Sequence, residues 1–213
     1  MRPMVRGVIL EGLSHSGKTS TLNALKRIHT LEEENAERSL IVLGEHYSQI
    51  LNNENGRYVR LNRDEHLSLL KERVGMIEQL NEWACKLGEW GRVSRGLFFV
   101  FERFHLNHRH GFPEYDTGEI RKLEERLCEL GAKTVLLTVS PEIVEERIQQ
   151  RSPGEWTGFT KDQIREEAEK YIEMQEKLLL CSRESIVPTI HINTDNLNWD
   201  GYARSILESF SIE

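Results

Sequence analysis

Residues 12–19, Gly12-Leu13-Ser14-His15-Ser16-Gly17-Lys18-Thr19, satisfy the pattern G-x-x-x-x-G-K-[ST] at every fixed position. In such a loop, consecutive backbone N–H groups turn inward and, with the positive end of a following helix, cradle the oxygens of a phosphate chain. Gly12 and Gly17 supply the backbone freedom, and Ser14, His15, Ser16 and Ser20 extend the expected contact surface. Lys18 is expected to reach the β- and γ-phosphates as a point charge, and the Thr19 hydroxyl to ligate a magnesium ion. The chemistry indicated is the binding of ATP with Mg2+. A chance glycine turn carrying a lysine would lack a preceding apolar run and a following helical pattern. Both are present, at residues 8–10 and 20–29.

Further candidates follow apolar runs. Glu45 succeeds residues 39–44 (SLIVLG) and is placed to act as a general base toward an acceptor hydroxyl. Glu102 and Arg103 succeed residues 96–101 (GLFFVF), where a charged pair is costly without partners. Glu102 is a candidate for the magnesium shell, and Arg103 for catalysis and substrate contact. Arg147 and Arg151, four apart, are candidates to neutralise charge on a transferring phosphoryl group. Arg73 is the best placed of Arg57, Arg60, Arg63 and Arg73 to hold an acceptor phosphate. His105, His108 and His110 lack a spaced carboxylate or thiol partner, so they read as lining an acceptor pocket rather than a metal site.

The elements that must position these groups alternate. Strands are expected at residues 5–11, 39–44, 96–101, 133–139 and 189–192, the first four reading as continuous apolar runs of the kind buried on both faces of a parallel sheet. Helical patterns occupy 21–29, 64–90 with an adjustment near Gly75, 118–130, 141–150, 161–182 and 199–210. Residues 52–63 and 105–117 read as loops. Trp83, Trp90 and Trp199 read as core, and Trp156 as part of a lid over residues 147–160. The expectation is one P-loop α/β domain over residues 1–213, with about five parallel strands and right-handed crossovers.

Composition narrows the partners. With 35 acidic against 28 basic residues and a net charge of −7, an extended nucleic-acid footprint is not expected. No apolar run approaches the length of a membrane span, and the N-terminus does not read as a signal peptide, which predicts a cytoplasmic protein. Three widely spaced cysteines, at 85, 128 and 181, indicate neither a disulfide framework nor zinc, and read as buried thiols. The expected partner is a small acceptor molecule, with a homodimer left open.

No D-x-x-G follows the third strand and no N-K-x-D appears, which argues against a GTPase. Leu10-Glu11-Gly12 with Ser16-Gly17-Lys18-Thr19 resembles the opening of thymidylate kinases, and Glu102-Arg103-Phe104 stands where that family has D-R-Y. Residues 70–73 resemble the helix whose arginine binds the acceptor phosphate. Arg147 and Arg151 resemble the lid arginines of thymidylate and deoxynucleoside kinases. The resemblance implies an ATP-dependent kinase of a nucleoside monophosphate. Ser14 and His15 depart from the family's loop, and its base-reading segment is absent from residues 105–110. The acceptor is therefore left open between a monophosphate and a hydroxyl, and a nucleotide-dependent switch without acceptor stays as the second functional class.

Overall fold

The computed structural model describes residues 5–31, 39–90, 96–113, 118–151, 154 and 156–210, with only the backbone described at 53, 54, 87–90 and 151. Five parallel strands form the central sheet: β1 (Val5–Glu11), β2 (Ser39–Leu43), β5 (Leu97–Glu102), β6 (Ala132–Thr138) and β7 (Thr189–Asn193), in spatial order β2-β5-β1-β6-β7. Leu10 pairs with Glu102 and Val135, so β1 lies between β5 and β6 with its C-terminal end flush with theirs. The chain leaves β1 for the β2 edge, returns inward to β5 and then crosses β1 to β6, and this change of direction opens a crevice beyond the C-terminal ends of the central strands.

Alternation along β5 shows why both faces must be covered. Phe99 and Phe101 point into a cluster with Leu67, Leu70, Val74 and Ile77 of helix α2 (Arg63–Trp90) and with Leu123 and Leu127 of α4 (Gly118–Glu129). Phe98 and Val100 point the other way, toward Leu22 and Leu25 of α1 (Lys18–Leu31) and Ala203 and Ile206 of α7 (Trp199–Glu208). Side chains of this size, fully withdrawn from water, stabilise the fold by about 1.5–3 kcal/mol each. Helices α5 (Pro141–Arg151) and α6 (Lys161–Glu184) complete the domain beside β6. Thr160 and Gln163 cap α6 reciprocally, side chain to backbone in both directions.

Five expectations are corrected. Residues 51–60 form an antiparallel hairpin, β3 (Leu51–Glu54) with β4 (Arg57–Arg60), rather than a loop. Its turn is Asn55-Gly56, with φ of 53° and 82°, the pair of left-handed residues that a two-residue hairpin needs. Residues 105–111 form a short helix, α3 (His105–Gly111), for a reason given below. Helix α2 runs uninterrupted through Gly75. Trp83 is 59% exposed, so it is not core, while the Trp90 side chain lies outside the described residues. The thiols of Cys85, Cys128 and Cys181 are free and only partly buried.

Candidate active site

Gly12 and Gly17 hold the loop between β1 and α1 in conformations closed to other residues. Gly12 has φ 139°, and a Cβ there would stand 2.6 Å from both the Leu137 carbonyl oxygen and Ser16 Oγ. Gly17 has φ 88°, and its missing Cβ is replaced by the ring of Trp199, which would approach to 2.4 Å. His15 also takes a left-handed φ, 69°, and its ring meets Tyr171 edge to face at 5.3 Å. Ser16 is buried, and its Oγ has no partner among the described residues.

Lys18 opens α1 and is 6% exposed. Its Nζ donates to the carbonyls of Gly12 and Leu13, both at 2.9 Å, so the ammonium is folded back on its own loop. Burial lowers its pKa from the ordinary 10.5 to about 7, helped by the Arg103 guanidinium and opposed by Glu45, Glu102 and Glu11. A triphosphate in the cradle would supply the negative charge that this buried amine lacks.

Glu11, the last residue of β1, is 1% exposed. Its Oε1 accepts from the backbone N–H groups of Phe104 (2.8 Å) and Leu106 (3.1 Å). These are orphan donors at the start of α3, which explains why residues 105–111 wind into a helix. Burial raises the Glu11 carboxyl to about 7, against the lowering effect of those N–H bonds and of Lys18. Sequence reasoning singled out the Glu-Gly pair only as a resemblance and missed this role; the signal was a carboxylate ending an otherwise apolar strand.

Across the crevice, Arg103 takes φ 52°, a conformation that costs a non-glycine residue of order 1–3 kcal/mol. Its backbone N–H extends the β1 ladder to Leu10 O at 3.0 Å, and Nη2 donates to Ser14 Oγ at 3.0 Å. Its Nε lies 2.8 Å from Oε2 of Glu45, which occupies a single 3-10 turn, Glu45–Tyr47, after β2. Glu102 is 8% exposed; burial first, then Glu45, raise its pKa, while Lys18 acts in the opposite sense.

Gly17, Lys18, Thr19 and Ser20 line a cleft of about 290 Å³ together with Ser14, His15, Glu45 and Arg103. Arg147, Gln150, Leu197 and Trp199 complete it. Nη2 of Arg147 donates to the Thr194 and Asp195 carbonyls, and Asp195 in turn accepts from Ser140 N–H, so this arginine is tied to the end of β7. Arg73 does not line the cleft; its Nε donates to Tyr47 O at 3.3 Å, one turn from Glu45. Arg57 and Arg60 are exposed on the hairpin, and Arg63 pairs with Asp64 at 3.0 Å. The Arg151 side chain and residues 152, 153 and 155 of the expected lid lie outside the described residues. Trp156 packs with Val139, Val144, Ile148 and Ala168, and against Phe159. Gln150, Leu197 and Trp199 were missed as cleft residues, since only the tertiary fold brings them there.

Oxygen donors suited to magnesium converge on the cleft. Thr19 and Glu45 line it, and Glu102 stands close enough to Glu45 for the two carboxylates to raise its pKa, a repulsion that a divalent cation would relieve. No group of three or more His, Cys, Asp or Glu able to hold a metal on its own occurs among the described residues. Magnesium bound here would therefore share its coordination with the nucleotide and water. No helix among the described residues is long and apolar enough to cross a membrane.

No protein-family model matches the chain, and no curated protein matches it. Solved structures do. The YorR protein from Bacillus subtilis, solved in complex with phosphorylated GDP, superposes with a TM-score of 0.60 at 13% identity, covering 97% of this chain and 96% of that one. An unliganded sugar kinase from Janibacter sp. HTCC2649 gives 0.50 at 13% identity, covering 98% and 95%. The thymidylate kinase of Candida albicans gives 0.49 at 14% identity, covering 98% and 92%, and adds nothing about the acceptor. The chain thus shares the fold of these structures, a five-stranded parallel sheet covered by helices, with the phosphate loop following β1.

Proposed function

We propose that the protein is a P-loop kinase that transfers the γ-phosphoryl group of ATP to a small acceptor, most simply a nucleoside monophosphate. The observation that carries this reading is the convergence of Lys18, Thr19, Glu45, Arg103 and Arg147 on one cleft at the C-terminal edge of the sheet. Lys18 leaves the Gly12 and Leu13 carbonyls for the β- and γ-phosphates, and the loop N–H groups and the N-terminus of α1 hold the remaining oxygens. Thr19 and Glu102 would hold magnesium, which would supply neutralising charge to the phosphates. Arg103 and Arg147 offset charge on the transferring group, and Arg151 and residues 147–160 exclude water on closure.

The acceptor reading rests on cations. A monophosphate needs no base, and Arg103 in the cleft with Arg73 beside Tyr47 would hold its oxygens. One observation favours a second reading: Glu45 lines the cleft and Arg73 does not. A carboxylate in that position suits a hydroxyl acceptor, whose proton it would take. The experiment is a screen of ADP release from ATP against nucleosides, nucleoside monophosphates and small hydroxyl metabolites, with free phosphate measured in parallel. One phosphorylated acceptor per ADP supports the kinase. Free phosphate alone, with every acceptor inert, replaces it with a nucleotide-hydrolysing switch.

A further inference from the structure

A second cleft, of about 410 Å³, lies between α3, α4 and α6 and shares no lining residue with the cleft at the phosphate loop. Its walls are mainly apolar, from Phe112, Pro113, Ile120 and Leu180, and Arg63, Lys177 and Glu184 supply charge among its lining residues. A volume near the lower end of the range for small-molecule sites, with few polar groups, suits a single small ring system.

One of those polar groups is His108, 4% exposed and lining the cleft. Its protonation can be read from its neighbours. His66 Nε2 lies 2.8 Å from the Ser48 carbonyl oxygen, which only accepts, so the proton sits on Nε2. Burial keeps the His66 ring neutral, leaving Nδ1 as an acceptor. His66 Nδ1 lies 2.9 Å from His108 Nδ1, which must therefore be the donor. Burial, with His66, Arg63 and Arg109 nearby, pushes His108 down to about 3, so it carries that one proton and no other. His108 Nε2 is left as an acceptor that no described residue hydrogen-bonds, and it is not among the side-chain atoms sealed away without a partner, so it is open to the cleft that the residue lines. The fold has thus fixed an acceptor, by a chain of two hydrogen bonds, on a histidine that lines an apolar cleft.

We infer that this cleft is a second ligand site, for a neutral or anionic planar heterocycle of the nucleobase kind that donates a ring or exocyclic N–H to His108 Nε2. Arg63, Arg109 and Lys177 outnumber the one carboxylate of the lining, Glu184, which disfavours a cationic donor. Arg109 does not compete for the ligand, because its Nε and Nη2 are spent on Glu124 at 2.7 and 2.9 Å. Adenine, guanine and thymine each present a flat face for Phe112 and Leu180 and an N–H for the histidine. The base could arrive free or as part of a nucleotide, and the site is independent of the phosphoryl-transfer reading.

The test is nitrogen NMR of the full chain labelled at histidine, titrated separately with adenine, guanine, thymine and their monophosphates. In the ligand-free protein His108 Nε2 is expected at the position of an unprotonated acceptor, and at least one probe should move it saturably toward the hydrogen-bonded position. Response to the free bases assigns the site to the heterocycle alone, and response only to monophosphates assigns it to the nucleotide form. Leu180→Trp, which fills the cleft from an exposed position on α6, and His108→Phe should each weaken that probe by about tenfold or more in calorimetry. A protonated Nε2 in the free protein, no response to any probe, or an unchanged affinity in Leu180→Trp would overturn the inference.

Discussion

Glu45 Oε2 lies 2.8 Å from Arg103 Nε, so the two residues proposed to meet the acceptor are held by each other when it is absent. A phosphate acceptor would take Arg103 from Glu45, whereas a hydroxyl acceptor would use Glu45 itself. With a monophosphate, Arg73→Ala should lower kcat/KM by about 10 to 100-fold, the loss of one charge-assisted contact, and Glu45→Gln by less. Steady-state kinetics of the two variants decides the matter. A loss of about 10² to 10⁴ in kcat for Glu45→Gln, with little effect at Arg73, would assign the acceptor group as a hydroxyl.

Nucleotide binding should take up a proton at Lys18. In the nucleotide-free protein its pKa is about 7, and a triphosphate beside it favours the ammonium form. Affinity should therefore fall as pH rises above about 7, while below 7 the lysine is already charged and contributes no slope. Calorimetry at pH 8.5 in buffers of different ionisation enthalpy should report uptake approaching one proton. The uptake should vanish at pH 6 and in Lys18→Ala, which should also lose phosphoryl transfer with an unchanged circular dichroism spectrum. Equal uptake in wild type and Lys18→Ala would assign the proton elsewhere.

Glu11 makes the reverse contribution to stability. Its carboxyl titrates near 4.5 in the unfolded chain and near 7 in the fold, so between those values the folded state holds more protons. Stability from this group falls as pH rises from about 4.5 to 7, and the cost is complete above 7. Glu11→Gln keeps an oxygen for the N–H groups of Phe104 and Leu106 and removes the titration. Urea denaturation should show a flatter pH profile for the variant over that window, the difference reaching on the order of 3 kcal/mol at pH 8. Parallel profiles for the two proteins would mean that Glu11 is not a buried carboxyl of raised pKa.

Arg109 and Glu124 form a bidentate ion pair with side chains 5% and 0% exposed. Removing the Glu124 charge leaves buried Arg109 with only the exposed Glu184 carboxylate, 3.7 Å from its Nη1, so Glu124→Gln should destabilise the protein by about 3 kcal/mol. The double variant Arg109→Met with Glu124→Leu should recover most of that loss. A loss equal to that of Glu124→Gln in the double variant would show that packing, not charge, holds these helices.

The phosphate loop was legible because its function fixes residue types at set spacings, and the strands because burial on both faces leaves continuous apolar runs. Glu45, Glu102 and Arg103 were found as candidates by the same logic, since they end such runs. The hairpin carried its own local signal in Asn55-Gly56, masked by the polar residues around it. Helix α3 could not be read locally: its start is capped by Glu11, far away in sequence, and two of its histidines are buried, His105 beside Thr134 of β6 and His108 against His66 of α2. Trp199 looked like any apolar position of an amphipathic helix, because its neighbour is a missing side chain at Gly17.

That last contact reaches from the beginning of the chain to its closing helix. Trp199 walls the phosphate loop at Gly17, and Asp200 beside it pairs with Arg27 of α1. Protein synthesis delivers the loop well before its wall. A nascent chain bearing the whole nucleotide motif therefore still has an open cradle, and a translating ribosome must release α7 before the loop acquires its support. Nucleotide would then act as a late fastener of the finished domain rather than as an early template for its folding.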